Sequence, residues 1–262
     1  MKQLLVSAYV PCYNSRATVR EAVKSILGQT HPADDVFVVD DGSTDRFAGV
    51  NEVRTVWLAT NNGRGAVRAR AMLEAKFDLV LACDASLVLE PDFLSLALPW
   101  FEDEKVGAVF GWVKEANLSR ASNRWRGRHL FRSDITQTLS REKTLASGCF
   151  VVRRSSAETI GGFNPALRFG EDADFGDRLR AAGYTVIFDP KLYAASLVVN
   201  GVFGVLERYA RWNSPNRFGL RDYMRTISYS LKVMVAADLK AGDFPAALIS
   251  LLCPHYQFWS RR

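Results

Sequence analysis

Short apolar runs alternate with amphipathic segments along residues 4–196. Runs rich in β-branched and other apolar residues predict strands at 4–10, 36–39, 53–58, 79–83, 106–112, 148–152 and 185–188. The segments between the early strands have apolar residues at helical spacing and predict helices at 14–27, 66–75 and 92–101. Strand, helix and strand in succession indicate right-handed parallel units. The pattern therefore predicts an α/β fold with a mostly parallel sheet flanked by helices.

Turn residues and prolines set the expected limits of these elements. We expect Asn14 or Ser15 to cap the first helix and Gly28 to end it. Pro91 suits the first turn of the helix at 92–101, and Pro190 is expected to close the strand at 185–188. Polar loops follow the strands, at the edge where sheets of this kind bind ligands.

Two segments depart from this alternation. Residues 113–145 are polar and rich in arginine, and we expect them to cover the cleft at the sheet edge. Residues 200–262 mix aromatic, basic and apolar residues and predict a helical extension. We therefore expect one domain at 1–199 and a C-terminal extension at 200–262, which contacts an acceptor or a membrane surface.

Composition narrows the class of protein. The 262 residues are 48% hydrophobic and 24% charged, as in ordinary globular proteins. The four cysteines are far apart and suggest neither a zinc site nor a disulfide framework, so a reducing, cytosolic compartment fits best. No stretch reaches the roughly 18 apolar residues of a membrane-spanning helix, and the N-terminal apolar run resembles a strand more than a signal peptide.

The net charge of the chain is +6, and the excess of basic residues lies in the same two segments. Residues 113–145 contain eight basic and three acidic side chains, and residues 200–262 contain nine and four. A local excess of this kind favours an anionic partner, such as a phosphorylated substrate or an anionic lipid surface, although a solvated basic face has the same composition. No recognition motif for nucleic acid accompanies the excess, so we do not expect nucleic acid as a partner.

An acidic run marks the start of one predicted helix. Gly170 is followed by Glu171, Asp172 and Asp174, and Gly183 ends the amphipathic segment. Carboxylates are favoured at a helix start because they offset its positive end. A carboxylate in this position that faces a cleft could also act as a general base.

Five motifs in order resemble the glycosyltransferase family 2 pattern over roughly residues 4–196. They are the strand ending in Pro11-Cys12-Tyr13-Asn14, the run from Val39 to Asp45, Asp84-Ala85-Ser86, Gly162-Phe163-Asn164, and Gly170 to Asp174. The resemblance implies a GT-A-like, Rossmann-like fold, a nucleotide-diphosphate sugar as donor (UDP-, GDP- or dTDP-linked) and inverting transfer to an acceptor hydroxyl.

The resemblance also implies roles for individual residues. The donor-binding set would be Pro11, Tyr13, Asp40, Asp41, Arg68, Asp84 and Ser86. Tyr13 would stack on the nucleobase or pack at the strand end, and Asp41 or Asp40 would accept a hydrogen bond from the base or only from its own turn. Arg68 would lie near the nucleotide or pair with a surface glutamate. Asp172 matches the second residue of the family's Glu-Asp motif, the general base.

Two of the family's metal ligands are missing from this sequence. Asp84 matches the first aspartate of the family's metal-binding motif, but Ser86 stands at the second, and none of the six residues after Pro190 is a histidine. A serine is a poor ligand for Mg²⁺ or Mn²⁺. We therefore expect a divalent cation to bind weakly or not at all, with arginines neutralising the leaving diphosphate. The candidates are Arg124, Arg126, Arg128, Arg211 and Arg217.

The run from Arg208 to Trp212 resembles the QxxRW motif of processive members of the family, with arginine in place of glutamine. We assign Glu171, Arg211 and Trp212 to the acceptor side, although Trp212 could equally pack in the core. The acceptor would be a saccharide or a glycolipid. The resemblance favours an enzyme of polysaccharide biosynthesis for the cell envelope, in the cytoplasm or peripheral at the inner face of the plasma membrane.

Two other functions fit parts of the sequence. A catalytically inactive protein that binds nucleotide sugars, or a scaffold, would explain Ser86 and the missing histidine but not the intact Glu171-Asp172 pair. A nucleotidyltransferase shares doubly wound sheets, but it would need a glycine-rich phosphate loop after the first strand, which the run from Pro11 to Ser15 does not provide.

Overall fold

A computed structural model describes residues 4–213 and 219–260. These residues form two compact units, and each is described separately below. Unit 1 contains residues 1–113 and 137–197, and unit 2 contains residues 114–136 and 198–262.

Unit 1 is built around a mixed sheet. Its strands are β1 (Val6–Cys12), β2 (Asp35–Asp40), β3 (Arg54–Trp57), β4 (Leu79–Cys83), β5 (Leu87–Leu89), β6 (Val106–Glu115, whose end enters unit 2), β7 (Cys149–Arg153) and β8 (Thr185–Ser196). Its helices are α1 (Val19–Leu27), α2 (Arg64–Glu74), α3 (Phe93–Ala97, followed by a 3₁₀ turn over Leu98–Glu102), α5 (Arg154–Thr159) and α6 (Glu171–Ala181). Within the described residues the strand order is β3-β2-β1-β4-β7-β6-β8-β5.

The first half of the sheet is parallel, as the strand–helix alternation predicts. β1 pairs in parallel with β2 and β4, and β2 pairs in parallel with β3. Every residue of β4 is buried, because helices or loops cover both faces of the sheet. The carboxyl ends of these strands therefore bring the loops after β1, β2 and β4 to one edge.

The second half of the sheet is partly antiparallel and differs from the prediction. β7 pairs antiparallel with β4 and β6, and the short β5, which the sequence did not predict, pairs antiparallel with β8. β8 does not stop before Pro190 but continues to Ser196. Phe188 pairs with Ser140, and residues 194–196 pair with β5. Pro190 lies between these two pairings, so its missing N–H removes no hydrogen bond from either of them.

The start of helix α1 also differs from the prediction. Neither Asn14 nor Ser15 caps the helix, which has Thr18 at its N-cap and no side-chain cap. Asn14 instead adopts a positive φ of 48°, and its side-chain oxygen accepts a hydrogen bond from the N–H of Thr44 at 2.7 Å. The asparagine therefore joins the loops after β1 and β2 rather than starting the helix.

Unit 2 is helical. It contains α4 (Ala121–His129), α7 (Val202–Asn213), α8 (Leu220–Tyr229), a π-helical segment (Ser230–Val235), α9 (Ala236–Lys240) and α10 (Phe244–Ser260). Trp125 is fully buried in its apolar core, and its indole N–H donates to Ser250 Oγ at 2.8 Å. The predicted helical extension is confirmed, but the segment 114–136 packs in the same unit.

A buried carboxylate links the helices of unit 2. Asp238 accepts hydrogen bonds from Arg128 at 2.5 Å and from the Ser250 hydroxyl at 2.5 Å, and it lies 2.9 Å from Nε2 of His129. Burial opposes the charge of this carboxylate, but the hydrogen bonds of His129 and Ser250 outweigh it, so its pKa is lowered. Among the described helices, none has the length and apolar character required to cross a bilayer.

Candidate active site

Two buried aspartates end strand β2 and organise the neighbouring loops. Asp40 accepts hydrogen bonds from the N–H and the hydroxyl of Ser43, at 2.9 and 2.5 Å. Asp41 accepts from the N–H groups of Asn62 and Gly63 at 2.8 and 2.9 Å, and from the side chain of Asn61 at 2.9 Å. Burial raises the pKa of Asp41, whereas these backbone donors lower it. Both carboxylates therefore already bind their own loops, and a role in reading a base remains a prediction.

Arg68 connects three elements of unit 1. Its guanidinium donates to Asp84 Oδ1 at 2.8 Å, to Glu171 Oε1 at 3.4 Å and to the hydroxyl of Tyr9 at 3.2 Å. Its side chain is 2% exposed, so the pair with a surface glutamate considered above is wrong. The ion pairs instead hold the end of β4 and the start of α6 against helix α2.

The acidic run begins helix α6, as the sequence predicts. Gly170 is the N-cap residue with a left-handed backbone (φ 74°), and Glu171, Asp172 and Asp174 lie in the first turn. Gly183 follows the last turn with φ 88°. The three carboxylates have different surroundings, and this difference separates their possible roles.

Glu171 is buried, whereas Asp172 is half-buried. Burial raises the pKa of Glu171, with the positive charge of Arg68 acting in the opposite direction. Asp174 is also half-buried and forms an ion pair with Arg178 at 2.7 Å. Glu171 therefore has a structural partner in Arg68, and its assignment to an acceptor remains a prediction.

The segment before β7 joins Asp172 to Asp84. The N–H and the hydroxyl of Ser147 lie 3.2 and 3.1 Å from Asp172 Oδ2 and donate to it. The next residue, Gly148, accepts a hydrogen bond through its carbonyl from the N–H of Asp84 at 2.9 Å. The sequence analysis missed Ser147, because a serine before a strand has no distinctive pattern and its partner lies 25 residues away.

The other predicted donor-binding residues lie at the same sheet edge. Pro11 is in β1, and Tyr13 follows that strand with 45% of its surface exposed, so stacking on a nucleobase and packing at the strand end both stay predictions. Ser86 is half-buried, and its carbonyl accepts from the N–H of Leu197 at 2.9 Å. The exposed ring of Tyr13 could therefore stack on a planar ligand.

The predicted acceptor residues of the tail lie on the surface of unit 2. Trp212 is 48% exposed, so packing in the core is wrong for this residue, and the Arg208 guanidinium lies 5.8 Å from its ring centroid. Arg211 pairs with Glu207 one turn earlier on α7. Their contact with an acceptor remains a prediction.

The basic residues proposed to neutralise a diphosphate have partners within unit 2. Arg124 pairs with Asp243 at 2.7 Å, Arg126 with Glu115 at 2.6 Å, and Arg128 with Asp238 at 2.5 Å. Arg126 is fully buried, so its assignment to a diphosphate is wrong. Arg217 lies outside the described residues.

The residues around Asp84 do not fit a divalent cation well. Asp84 already accepts from Arg68, and Ser86 offers only a neutral hydroxyl. In residues 4–213 and 219–260, no three histidine, cysteine, aspartate or glutamate side chains come together as a metal-binding group. Mg²⁺ and Mn²⁺ are usually held by more carboxylate oxygen than this set supplies.

Residues 7–161 of this chain match the family model of glycosyl transferase family 2. The chain belongs to glycosyl transferase family 2. The match covers the loops after β1, β2 and β4 as well as Ser147, whereas Asp172 lies beyond it.

Two curated relatives are longer than this chain. A poly-beta-1,6-N-acetyl-D-glucosamine synthase of Staphylococcus epidermidis is 24% identical over 237 residues, which is 85% of this chain and 57% of the relative. An N-acetylglucosaminyltransferase of Mesorhizobium japonicum is 28% identical over 276 residues, which is 94% of this chain and 63% of the relative. The chain thus spans less than two thirds of the length of either relative.

Solved structures confirm the GT-A fold. The mannosyltransferase PcManGT from Pyrobaculum calidifontis, in complex with GDP-Man and Mn²⁺, has a TM-score of 0.59 and 19% identity over 100% of this chain and 89% of its own. S. aureus TarS 1-349 in complex with UDP has a TM-score of 0.58 and 20% identity over 98% of this chain and 88% of its own. At such identities the likeness shows the fold alone.

Proposed function

We propose that this chain is an inverting glycosyltransferase that moves a sugar from a nucleoside-diphosphate sugar to an acceptor hydroxyl, with Asp172 as the general base. The surroundings of Asp172 are the main support for this role. Asp172 is half-buried in the first turn of α6 and is oriented by hydrogen bonds from Ser147. Among the described residues it has no arginine or lysine partner. Its neighbours in that turn, Glu171 and Asp174, both pair with arginines. Asp172 is therefore the carboxylate of the three best suited to accept a proton.

The reaction needs one proton transfer and one substitution. Asp172 takes the proton from the acceptor hydroxyl while the acceptor oxygen forms a bond to C1 of the donor sugar. The bond between C1 and the diphosphate oxygen breaks on the opposite face, and the electron pair leaves with the nucleoside diphosphate. Attack and departure on opposite faces invert the anomeric configuration.

The donor is proposed to lie at the sheet edge formed by the loops after β1, β2 and β4. The exposed ring of Tyr13 supports stacking of a nucleobase there, next to Pro11 and the loops held by Asp40 and Asp41. Solved structures of the same fold contain GDP-Man in one case and UDP in another. UDP-, GDP- and dTDP-sugars are therefore the donors to be tested.

The acceptor is proposed to be a saccharide or a lipid-linked saccharide of the cell envelope. The curated relatives are named for the synthesis of poly-N-acetylglucosamine and the transfer of N-acetylglucosamine, which supports UDP-N-acetylglucosamine as the first donor to test. The proposal includes contacts of Arg211 and Trp212 with this acceptor.

A peripheral position at the inner face of the plasma membrane is part of the same proposal. Three large apolar side chains of α10, spaced four residues apart, are exposed to solvent. The exposed fraction is 68% for Phe244, 63% for Leu248 and 47% for Leu252. The exposed Arg221 and Arg225 of α8 belong to the same unit. An apolar helix face accompanied by arginines is typical of binding to anionic lipid. Sedimentation with vesicles should therefore require anionic lipid and should fall in Phe244→Ser/Leu248→Ser.

The function is tested by incubating the chain with each donor and a panel of saccharide acceptors. Release of nucleoside diphosphate measures turnover, and NMR of the product gives the configuration at C1. A product whose anomeric configuration is opposite to that of the donor supports the proposal, and retention contradicts it. Binding of donors without any turnover would favour the alternative of an inactive nucleotide-sugar-binding protein, which the serine at position 86 motivates.

A further inference from the structure

Asp84, in the proposed donor site, is already paired with a positive charge. Its carboxylate is 30% exposed and receives a hydrogen bond of 2.8 Å from Arg68. The guanidinium thus already balances part of the negative charge that would attract a divalent cation. Ser86 supplies no charge, and the described residues bring no group of three ligands together. The oxygen ligands at this site therefore do not match those that Mg²⁺ or Mn²⁺ requires.

A departing nucleoside diphosphate still needs positive charge nearby, because negative charge develops on its leaving oxygen. Arg68 is poorly placed to supply it. Its side chain is 2% exposed and its guanidinium already donates to Asp84, Glu171 and the hydroxyl of Tyr9. Another cation with solvent access is required.

Arg64 meets that requirement. It is the first residue of α2 and lies four residues before Arg68, so the two side chains share one face of the helix. Side chains of a helix lean towards its N-terminus, so that of Arg64 extends beyond Arg68 in the direction of the sheet edge. Arg64 is exposed, and no hydrogen bond or ion pair of its side chain is found among the described residues. The N–H of the next residue, Gly65, donates to the carbonyl of Leu167 at 3.0 Å, so the start of α2 lies against the loop that leads into α6.

Arg168 brings a second cation to the same place. Its side chain packs against Gly63, the residue before Arg64, where an added Cβ would lie 3.0 Å from Arg168 Cγ. Its guanidinium donates to the carbonyl and the side-chain oxygen of Asn61, both of which are neutral acceptors. Its charge also acts on the buried Asp41 and opposes the effect of burial on the pKa of that carboxyl, so Arg168 brings positive charge to the loop that Asp41 holds.

We propose that Arg64, with Arg168 beside it, binds the diphosphate of the donor in this chain and replaces the divalent cation. The inference rests on the proposed function, because it takes a nucleoside-diphosphate sugar as the ligand. Two guanidinium groups can each donate in pairs to phosphate oxygens, and they require no metal ligand at position 86.

Calorimetric titration of the full chain with UDP, GDP and dTDP tests this proposal, in EDTA and again in Mn²⁺. We expect the nucleotide that binds to have dissociation constants within about threefold in the two buffers. Loss of charge-assisted hydrogen bonds in Arg64→Ala should weaken binding in EDTA by roughly 10- to 100-fold. Arg70→Ala is the matched control, since Arg70 lies on the same helix but pairs with Glu74 on the surface, and it should change binding by less than about threefold.

Each outcome has a separate meaning. Binding that Mn²⁺ tightens by more than about tenfold, or an Arg64→Ala variant that binds like the wild type, overturns the inference and leaves the proposed function intact. Metal-independent binding that depends on Arg64, without any sugar transfer, supports the inference and contradicts the proposed function. A wild-type chain that binds none of the three nucleotides in either buffer contradicts both. The thermal midpoint of Arg64→Ala should match that of the wild type, because the side chain is exposed.

Discussion

The hydroxyl of Ser147 donates a hydrogen bond to Oδ2 of Asp172 at 3.1 Å, and the backbone N–H of Ser147 donates to the same oxygen at 3.2 Å. The two donors fix one oxygen of the carboxylate and leave the rotamer of Asp172 little freedom. The adjacent Gly148 binds the backbone of Asp84. A two-residue segment before β7 thus sets the separation of the two aspartates to which the family resemblance assigns catalysis and donor binding.

Replacing Ser147 by alanine removes the hydroxyl donor and keeps the backbone donor. We expect kcat to fall about tenfold, because a hydrogen bond to a charged group that positions the base is lost. The dissociation constant of the donor should not change, since Ser147 contacts Asp172 rather than the nucleotide edge. Steady-state kinetics and donor titration measure the two quantities.

Ser155→Ala, on the exposed surface of α5, is the control for Ser147→Ala. It should behave like the wild type in both measurements. An unchanged kcat in Ser147→Ala, or a loss confined to donor affinity, would show that this serine does not position the base.

The buried Glu171 should make stability depend on pH. Because burial raises its pKa, the folded state holds the proton more tightly than the unfolded state does. The contribution of Glu171 is then most favourable below its unfolded pKa of about 4.3 and falls as the pH rises through the folded pKa. Relative to Glu171→Gln, the wild type should lose up to about 1.4 kcal/mol of unfolding free energy per pH unit in this window.

Urea unfolding of both proteins at a series of pH values above 4 measures that difference. Glu158→Gln is the control, because Glu158 is 59% exposed and forms a surface pair with Arg154. Its difference from the wild type should be nearly flat. A flat difference for Glu171→Gln as well would mean that the folded protein does not raise the pKa of Glu171.

Close packing at the start of α2 makes Gly65 sensitive to substitution. A Cβ at this position would lie 2.3 Å from the carbonyl oxygen of Asn164 and 2.5 Å from that of Leu167. Both are backbone atoms, so Gly65→Ala should lower the unfolding free energy by about 1–3 kcal/mol. Gly204→Ala within α7 meets no atom closer than 3.5 Å and should stabilise by up to about 1 kcal/mol. Thermal midpoints that move in the same direction for both variants would contradict this expectation.

The buried carboxylate of unit 2 should be important for stability. Asp238→Asn removes the charge that Arg128 contacts at 2.5 Å and leaves it only the longer pair with Asp243 at 3.7 Å, so we expect a loss of about 3–5 kcal/mol. Because the pKa of Asp238 is lowered in the folded state, its contribution is present above its unfolded pKa of about 3.9 and is lost as the pH falls. Glu207→Gln removes a surface pair on α7 and should change stability by less than about 1 kcal/mol. Equal denaturation curves for the two variants would show that the Asp238 network contributes little.

The sequence predicted the elements whose signals are local. The acidic first turn of α6, its end at Gly183, and the parallel strands β1, β2 and β4 depend on spacing within one segment, and the structure has them. The family motifs in order also predicted the fold.

Long-range partners could not be predicted in the same way. The sequence assigns the arginines of α4 to a leaving diphosphate or to a solvated basic face, but Arg124 and Arg128 pair with carboxylates more than 100 residues later in the chain. The role of Ser147 likewise depends on a contact with another element. The continuation of β8 through Pro190 could not be predicted either, because it depends on which strands pair with β8 on each side of the proline. Each of these features is set by tertiary packing, which periodicity does not describe.

The most direct test of the account compares sugar transfer by Asp172→Asn with that by Asp174→Asn. Both substitutions remove one charge from the first turn of α6, but Asp174 is already paired with the half-buried Arg178. We predict that Asp172→Asn lowers kcat by roughly 10²- to 10⁴-fold while donor affinity is retained, and that Asp174→Asn stays within about threefold of the wild type. Transfer by Asp172→Asn at the wild-type rate would contradict the assignment of this carboxylate as the base.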